Sequence, residues 1–250
     1  MIVSIFIPRT WLRFALGGIL FTSSLPTTLH AENTPLVNSG FFAELKKVWP
    51  RNRSIQLVFH GHSVPSGYHK TPEIKTFESY PHLVHRALAG KYPTAVTNCI
   101  ITAIGGENSH KGAERFENDV LCHRPDLLFI DYALNDRRLT EKQMQDAWTA
   151  MIKQALSHAI PVVLVTPTGA EDVNFQNPDD PLLRRAEIIR SLGRKHGVPV
   201  ADVFQKWSET VAAGTPQSAL LSQSNHPNLA GHQLAANVIL ELLSRSDFAK

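Results

Sequence analysis

Short apolar runs rich in branched residues recur along this chain at 55–59, 95–101, 127–132, 162–166 and 198–203. Segments of helical period separate them, at 80–89, 113–122, 141–157 and 182–196, with a last one at 228–244. Strands that alternate with helices pair in parallel through right-handed crossovers. The runs are continuous rather than alternating, which implies burial on both faces. The expected fold is therefore α/β: a three-layer α/β/α sandwich around a parallel, about five-stranded, flavodoxin-like sheet. In such sheets ligands bind beyond the carboxyl ends of the strands, so the informative residues should stand just after each run.

The first 31 residues belong to a different kind of segment. Arg9 and Arg13 precede an apolar stretch at 14–21, and small and polar residues follow as far as Ala31. Basic, apolar, then cleavable is the order of a secretory signal peptide. The stretch is too short for a bilayer core of roughly 30 Å, and Pro26 interrupts a continuing helix. An uncleaved anchor is the alternative. Residues 32–50 read as a linker and a short helix (41–48) stopped by Pro50, and 51–250 as one domain with a full core.

The formal net charge is +3, and two of the arginines lie in the leader, so no basic patch points to nucleic acid. No further apolar run is long enough to span a membrane once the signal is removed, and there is no internal repeat. Export would put Cys99 and Cys122 where a disulfide can form. A disulfide and two buried free thiols stay equally open. Two thiols alone do not make a structural zinc site.

The strand ends carry polar residues in sequence: Gly61-His62-Ser63, Gly105-Gly106-Glu107-Asn108, Asn135-Asp136, Thr166-Pro167-Thr168, and finally Ser224-Asn225-His226-Pro227 ahead of the last helix. Together they suffice for acyl transfer. A serine hydroxyl needs a base to take its proton, and imidazole titrates near neutral pH. The oxyanion that forms needs preorganised donors, which the N–H groups of Ser63 and Gly106 and the Asn135 amide can supply.

In order, spacing and placement these blocks resemble the SGNH, or GDSL-like, family of esterases and acylhydrolases, over residues 55–243. The letters fall on Ser63 in HGHS, Gly106 in IGGEN, Asn135 in ALND and His226 in NHPNLAGH. The resemblance implies Ser63 as nucleophile, His226 as base, and Ser63, Gly106 and Asn135 as the oxyanion hole. It implies neither a metal nor an organic cofactor.

Two positions depart from the family pattern. Its Gly-Asp-Ser is Gly61-His62-Ser63 here, and the Asp three residues before the histidine is Gln223. A carboxylate there fixes the imidazole tautomer and stabilises the imidazolium. Four readings follow: a Ser63–His226 dyad oriented by a backbone carbonyl or by the Gln223 amide oxygen; a carboxylate supplied from elsewhere, Asp202 or Asp136; His62 as a second base; or an impaired protein of this fold that only binds carbohydrate. The plain roles of Asp202 and Asp136 are a strand-end cap and a turn-fixing hydrogen bond.

Histidine is abundant, with 12 in the chain, so a metal-dependent hydrolase using His60, His62 and His226 is a rival. The aromatics near the strand ends, Phe59, Tyr68, Tyr80 and Tyr132, are candidates to stack on a sugar ring, although Phe59 falls in a core run and Tyr132 ends one. Tyr68 lies in a loop, 64–77, long enough to reach substrate. His62, Tyr68 and Glu107 are candidate substrate contacts, and the loop at 169–180 is a candidate pocket border. The expectation is a secreted or periplasmic serine esterase that removes short acyl groups, acetyl above all, from a small-molecule or carbohydrate ester. Its partners would include neither nucleic acid nor membrane, and its oligomeric state is open.

Overall fold

The structure is a computed structural model that describes residues 37–248, so the leader and most of the linker lie outside the described residues. The strands β1 (Ser54–Gly61), β2 (Val96–Ile101), β3 (Leu127–Asp131), β4 (Val162–Val165) and β5 (Val200–Ala201) form one parallel sheet. Its order is β2-β1-β3-β4-β5, the flavodoxin order. Successive side chains leave opposite faces. Leu57, Phe59, Leu127 and Phe129 enter one core, and Val58, Leu128 and Ile130 enter the other.

The first core is covered by α1 (Ser39–Leu45), α2 (Tyr80–Lys91), α8 (Val203–Ala212) and α9 (Leu229–Phe248). The second is covered by α6 (Glu141–Ser157) and α7 (Pro181–His196), with α3 (Ser109–Glu114), α4 (Phe116–Asp119) and the single turn α5 (Ala133–Asp136) at its upper edge. A small antiparallel hairpin, β6 (Leu221–Gln223) and β7 (His226–Pro227), leads into α9. Among the described residues no helix is long and apolar enough to cross a membrane.

Four details differ from the sequence reading. Burial on both faces holds for β1 and β3, whereas β2 is an edge strand with Val96 half exposed. The 113–122 helix is broken into α3, α4 and a 3₁₀ turn, Leu121–His123. The first break is at Arg115, whose guanidinium reaches back to Glu107. The run at 198–203 is mostly not strand. Asp202 accepts from the Gln205 N–H and starts α8, which the apolar pattern conceals. Finally, the short helix expected at 41–48 is Ser39–Leu45 and packs into the domain. Asn38 caps α1, and Phe41, Phe42 and Leu45 belong to the first core. Neither alternative for the cysteines holds in full: both are free, so there is no disulfide, but only Cys99 on β2 is half-buried and Cys122 is exposed.

Candidate active site

β1 runs straight into the nucleophile turn. A side chain at Gly61 would strike the Asp131 carbonyl oxygen and the Pro65 ring, so only glycine lets the chain leave the sheet this tightly. The turn then closes on itself, with the Tyr68 N–H donating to the Ser63 carbonyl (3.1 Å) and Gly67 to Val64 (2.9 Å). Ser63 is held at the carboxyl edge of the sheet.

His226 arrives from the β6–β7 hairpin. The tip of that hairpin is pinned by the Glu171 N–H on the Ser224 carbonyl, 2.7 Å. Ser224 adopts φ +24°, a left-handed geometry costly for a non-glycine residue. Asn228 fixes the start of α9 by accepting from the Gly231 N–H. The result places His226 Nε2 3.1 Å from Ser63 Oγ, although the two are 163 residues apart in sequence.

The other nitrogen of His226 has two neighbours, the His69 carbonyl at 3.1 Å and Gln223 Nε2 at 3.2 Å. The Thr71 N–H can only donate, and it meets Gln223 Oε1 at 3.0 Å. The amide is thereby oriented so that its NH₂ faces the Thr71 hydroxyl (3.0 Å) and His226. This reverses the expectation that Gln223 accepts from His226 through its oxygen. The carbonyl selects the tautomer with Nδ1–H, which leaves the Nε2 lone pair facing Ser63. The Gln223 amide favours the opposite tautomer. Burial pushes the His226 pKa below the usual histidine value, opposed in part by the His69 carbonyl.

His62 is not a substrate contact: its side chain is 1% exposed. Its Nδ1 accepts from the Val64 N–H at 3.3 Å and lies 3.5 Å from Ser63 Oγ. On the far side, His62 Nε2 faces Asp131 Oδ1 at 3.4 Å, and neither atom has a closer partner. The other oxygen of Asp131 accepts from the Tyr80 hydroxyl, 3.0 Å. Tyr80 is thus part of this buried chain rather than a sugar-stacking surface.

Of the candidate oxyanion donors, Ser63 is in the turn after β1, and Gly106 and Asn135 meet around the turn after β2. Asn135, in α5, donates one amide hydrogen to the Glu107 carbonyl at 2.9 Å and so holds that turn. Gly106 has φ +77°, and the space where a side chain would stand is open. Among the described residues, the N–H groups of Ser63 and Gly106 and the second Asn135 amide hydrogen have no protein acceptor. Three donors at this edge are left unspent.

Several other candidates are committed elsewhere. The Glu107 carboxylate is clamped by Arg115 (2.5 Å) and the Tyr132 hydroxyl (2.8 Å), so it is a brace rather than a substrate contact. Asp202 binds Arg190, the Thr166 hydroxyl and the Gln205 N–H, and Asp136 binds the Ser109 N–H and the Trp148 indole. Neither orients His226. Burial pushes the Asp136 carboxyl above its ordinary value, against the pull of those donors.

His60 uses Nδ1 on the Thr102 hydroxyl and Nε2 on the Gly112 carbonyl and Tyr132 hydroxyl. His60, His62 and His226 therefore do not assemble a ligand set. Tyr68 does stand at the site, half-buried, with its ring centre 5.8 Å from that of His226. It lies over Gly105, where a side chain would strike the ring.

A backbone carbonyl does orient His226, as one of the four readings has it, but the residues that supply three of the participants have no such role in the sequence reading. The His69 carbonyl and the Thr71 N–H are backbone groups and leave no residue-type signal. Asp131 does leave one: it is a lone acid inside the apolar run at 127–132.

Comparison with known proteins now bears on this arrangement. The profile of the GDSL-like lipase/acylhydrolase family matches residues 59–234. No curated protein matches the chain. Among solved structures, a two-domain esterase active on acetylated mannans is 24% identical with a TM-score of 0.64, covering 79% of this chain and 50% of that one. The same kind of esterase co-crystallised with mannopentaose gives 25% and 0.65. This chain thus spans about half the length of those two-domain proteins. An acetylxylan esterase from Geobacillus stearothermophilus is 20% identical with a TM-score of 0.65, covering 76% of this chain and 94% of that one. The likeness to these structures is one of fold, the α/β/α sandwich described above.

Proposed function

The chain belongs to the GDSL-like lipase/acylhydrolase family, and from that premise we propose that it is an acetylesterase acting on esters carried by carbohydrate, with Ser63 as nucleophile and His226 as base. The observation that carries this reading is the 3.1 Å approach of His226 Nε2 to Ser63 Oγ, with the ring held from behind by a carbonyl.

The steps follow from that geometry. Ser63 Oγ bonds to the ester carbonyl carbon while His226 Nε2 takes its proton. The carbonyl electron pair moves onto oxygen, which the spare N–H groups of Ser63, Gly106 and Asn135 meet. One such donor is worth ~100- to 1000-fold in rate. As the tetrahedral species collapses, the bond to the sugar oxygen breaks and the imidazolium returns its proton to that oxygen. Water then gives a proton to His226 and attacks the acyl-serine. Acetate leaves and Ser63 regains its hydrogen. The lowered basicity of His226 keeps the ring neutral, and so competent, through neutral pH.

Carbohydrate is supported by what the structural neighbours are described as acting on or being crystallised with, acetylated mannans, mannopentaose and acetylxylan. It is also supported by Tyr68, a half-buried aromatic beside the base. An external substrate, met by a secreted or periplasmic protein, is supported by the signal-like order of residues 1–31. Acetate release from acetylated mannan and acetylxylan, and hydrolysis of p-nitrophenyl acetate, test the reading. The wild type should turn over and Ser63→Ala should not. Equal retention of both proteins on the polysaccharide without any turnover would replace the esterase with a binding protein.

A further inference from the structure

Away from the serine edge, α2 and β2 bring three soft or borderline ligands together. One ring nitrogen of His82, one of His85 and the sulfur of Cys99 all lie within 4.8 Å of one another, each on a half-buried residue. We infer that His82, His85 and Cys99 form a binding site for one Zn²⁺ ion that ties helix α2 to the edge strand β2.

The local architecture supplies what such a site needs. His82 and His85 are three apart on one helix, so they share a face. Cys99 is on the strand beneath, its thiol packed against the first core. Bonds of about 2.0–2.1 Å to nitrogen and 2.3 Å to sulfur put tetrahedral ligand atoms roughly 3.3–3.6 Å apart, so closing the set takes rotamer adjustments of about 1 Å. His85 also has an outer partner. Its Nε2 lies 2.9 Å from the Thr97 hydroxyl and 3.1 Å from the Thr97 carbonyl. If Nε2 donates to that carbonyl, Nδ1 of His85 keeps the bare lone pair and is the nitrogen assigned to the metal, the usual arrangement behind a metal-bound imidazole. The Phe77 ring packs on His82 from outside, 5.1 Å between centres.

The chemistry of the donors selects the ion. A thiolate with two imidazoles suits zinc and excludes magnesium and calcium, which take oxygen. Burial raises the Cys99 thiol to about 12, so without metal the sulfur carries its proton. Binding is then balanced by one proton: the sulfur gives its hydrogen to solvent as the zinc–sulfur bond forms. Three protein ligands leave the fourth position for water. The mechanical consequence is local. β2 pairs only with β1, and a metal clamp from α2 restrains this exposed edge.

The test uses tag-free full-length protein stripped of metal by a chelator. Zinc chloride alone should bind at one equivalent per chain, with a dissociation constant of about 1 μM or tighter, and should raise the melting temperature. Cobalt(II) in its place should give a thiolate charge-transfer band in the near ultraviolet, a readout that needs no variant. Cys99→Ser should abolish that band, and both Cys99→Ser and His82→Ala should weaken zinc binding by about tenfold or more. Cys122→Ser should change nothing. Hydrolysis of p-nitrophenyl acetate should be the same for His82→Ala as for wild type. The inference is overturned if cobalt gives no thiolate band, or if zinc binds the two ligand variants as it binds the wild type.

Discussion

His226 presents Nε2 to the Ser63 hydroxyl from one side at 3.1 Å, and His62 presents Nδ1 from the other at 3.5 Å. The two rings are supported in opposite ways. His226 is half-buried and rests on a carbonyl and an amide, with no charge behind it. His62 is buried and has the Asp131 carboxylate behind it. Among the described residues, the only carboxylate within 4 Å of either imidazole therefore stands behind the ring farther from the hydroxyl, near His62 but not hydrogen-bonded to it. Position and electrostatic support have been separated. His62 already accepts from the Val64 N–H, so its lone pair is partly spent. It holds the turn that holds Ser63, whereas His226 is free to exchange a proton.

The contrast breaks first on the two alanine variants. His226→Ala should lower kcat/KM by about 10⁴-fold or more, because the base is lost. His62→Ala should retain well over a hundredth of the activity if the ring only positions Ser63. Its pH profile should keep the wild-type acid limb, since that limb belongs to His226. Steady-state kinetics between pH 4 and 8 decide it. A loss at His62 equal to that at His226, with a displaced acid limb, would make His62 the working base.

Burial also governs the response to acid. His60 and His232 are both pushed down to about 3, chiefly by desolvation. In the unfolded chain they titrate at ordinary histidine values. Between roughly pH 6.5 and 3 each takes up a proton only on unfolding, so stability falls as the pH falls. From pH 7 to pH 5 the loss is about 2 kcal/mol for each ring. Urea denaturation at the two pH values measures it. A flat response would mean that these two rings are charged in the fold.

How much of this was readable in advance depends on what kind of group does the work. Ser63, Gly106, Asn135 and His226 can be picked out because side-chain chemistry at successive strand ends is written in residue types. The sheet is equally legible, because continuous branched runs such as 127–131 have few other uses. What orients His226 is not legible. The His69 carbonyl could belong to any residue, and the direction of the Gln223 amide is set by Thr71, 152 residues away. The charged residues mislead for a related reason. Glu107, Asp136 and Asp202 stand at strand ends like functional groups, but Arg115, Trp148 and Arg190 are already waiting for them. Sequence order cannot show that those partners arrive first.

Gln223 offers the most selective way to sharpen the contrast, because one atom can restore the missing charge. Gln223→Glu keeps the reach of the side chain. The Thr71 N–H and hydroxyl, which now meet the amide at 3.0 Å each, can both donate to a carboxylate. The second oxygen then meets His226 Nδ1 as an acceptor, at the place where the amide now offers a donor at 3.2 Å. Two effects follow. The competing tautomer loses its partner, and the imidazolium gains an adjacent negative charge. The His226 pKa, below the ordinary value in the wild type, should rise. Since the neutral ring is the base, the acid limb of kcat/KM moves to higher pH, and activity is lost at the acidic end. At pH 8, where the ring is neutral in both proteins, kcat should rise, by up to about tenfold. An unchanged acid limb would show that the carboxylate does not reach the ring. A higher limb without faster turnover at pH 8 would show that the His69 carbonyl alone already fixes the productive tautomer, so that charge behind the base is something this site does without.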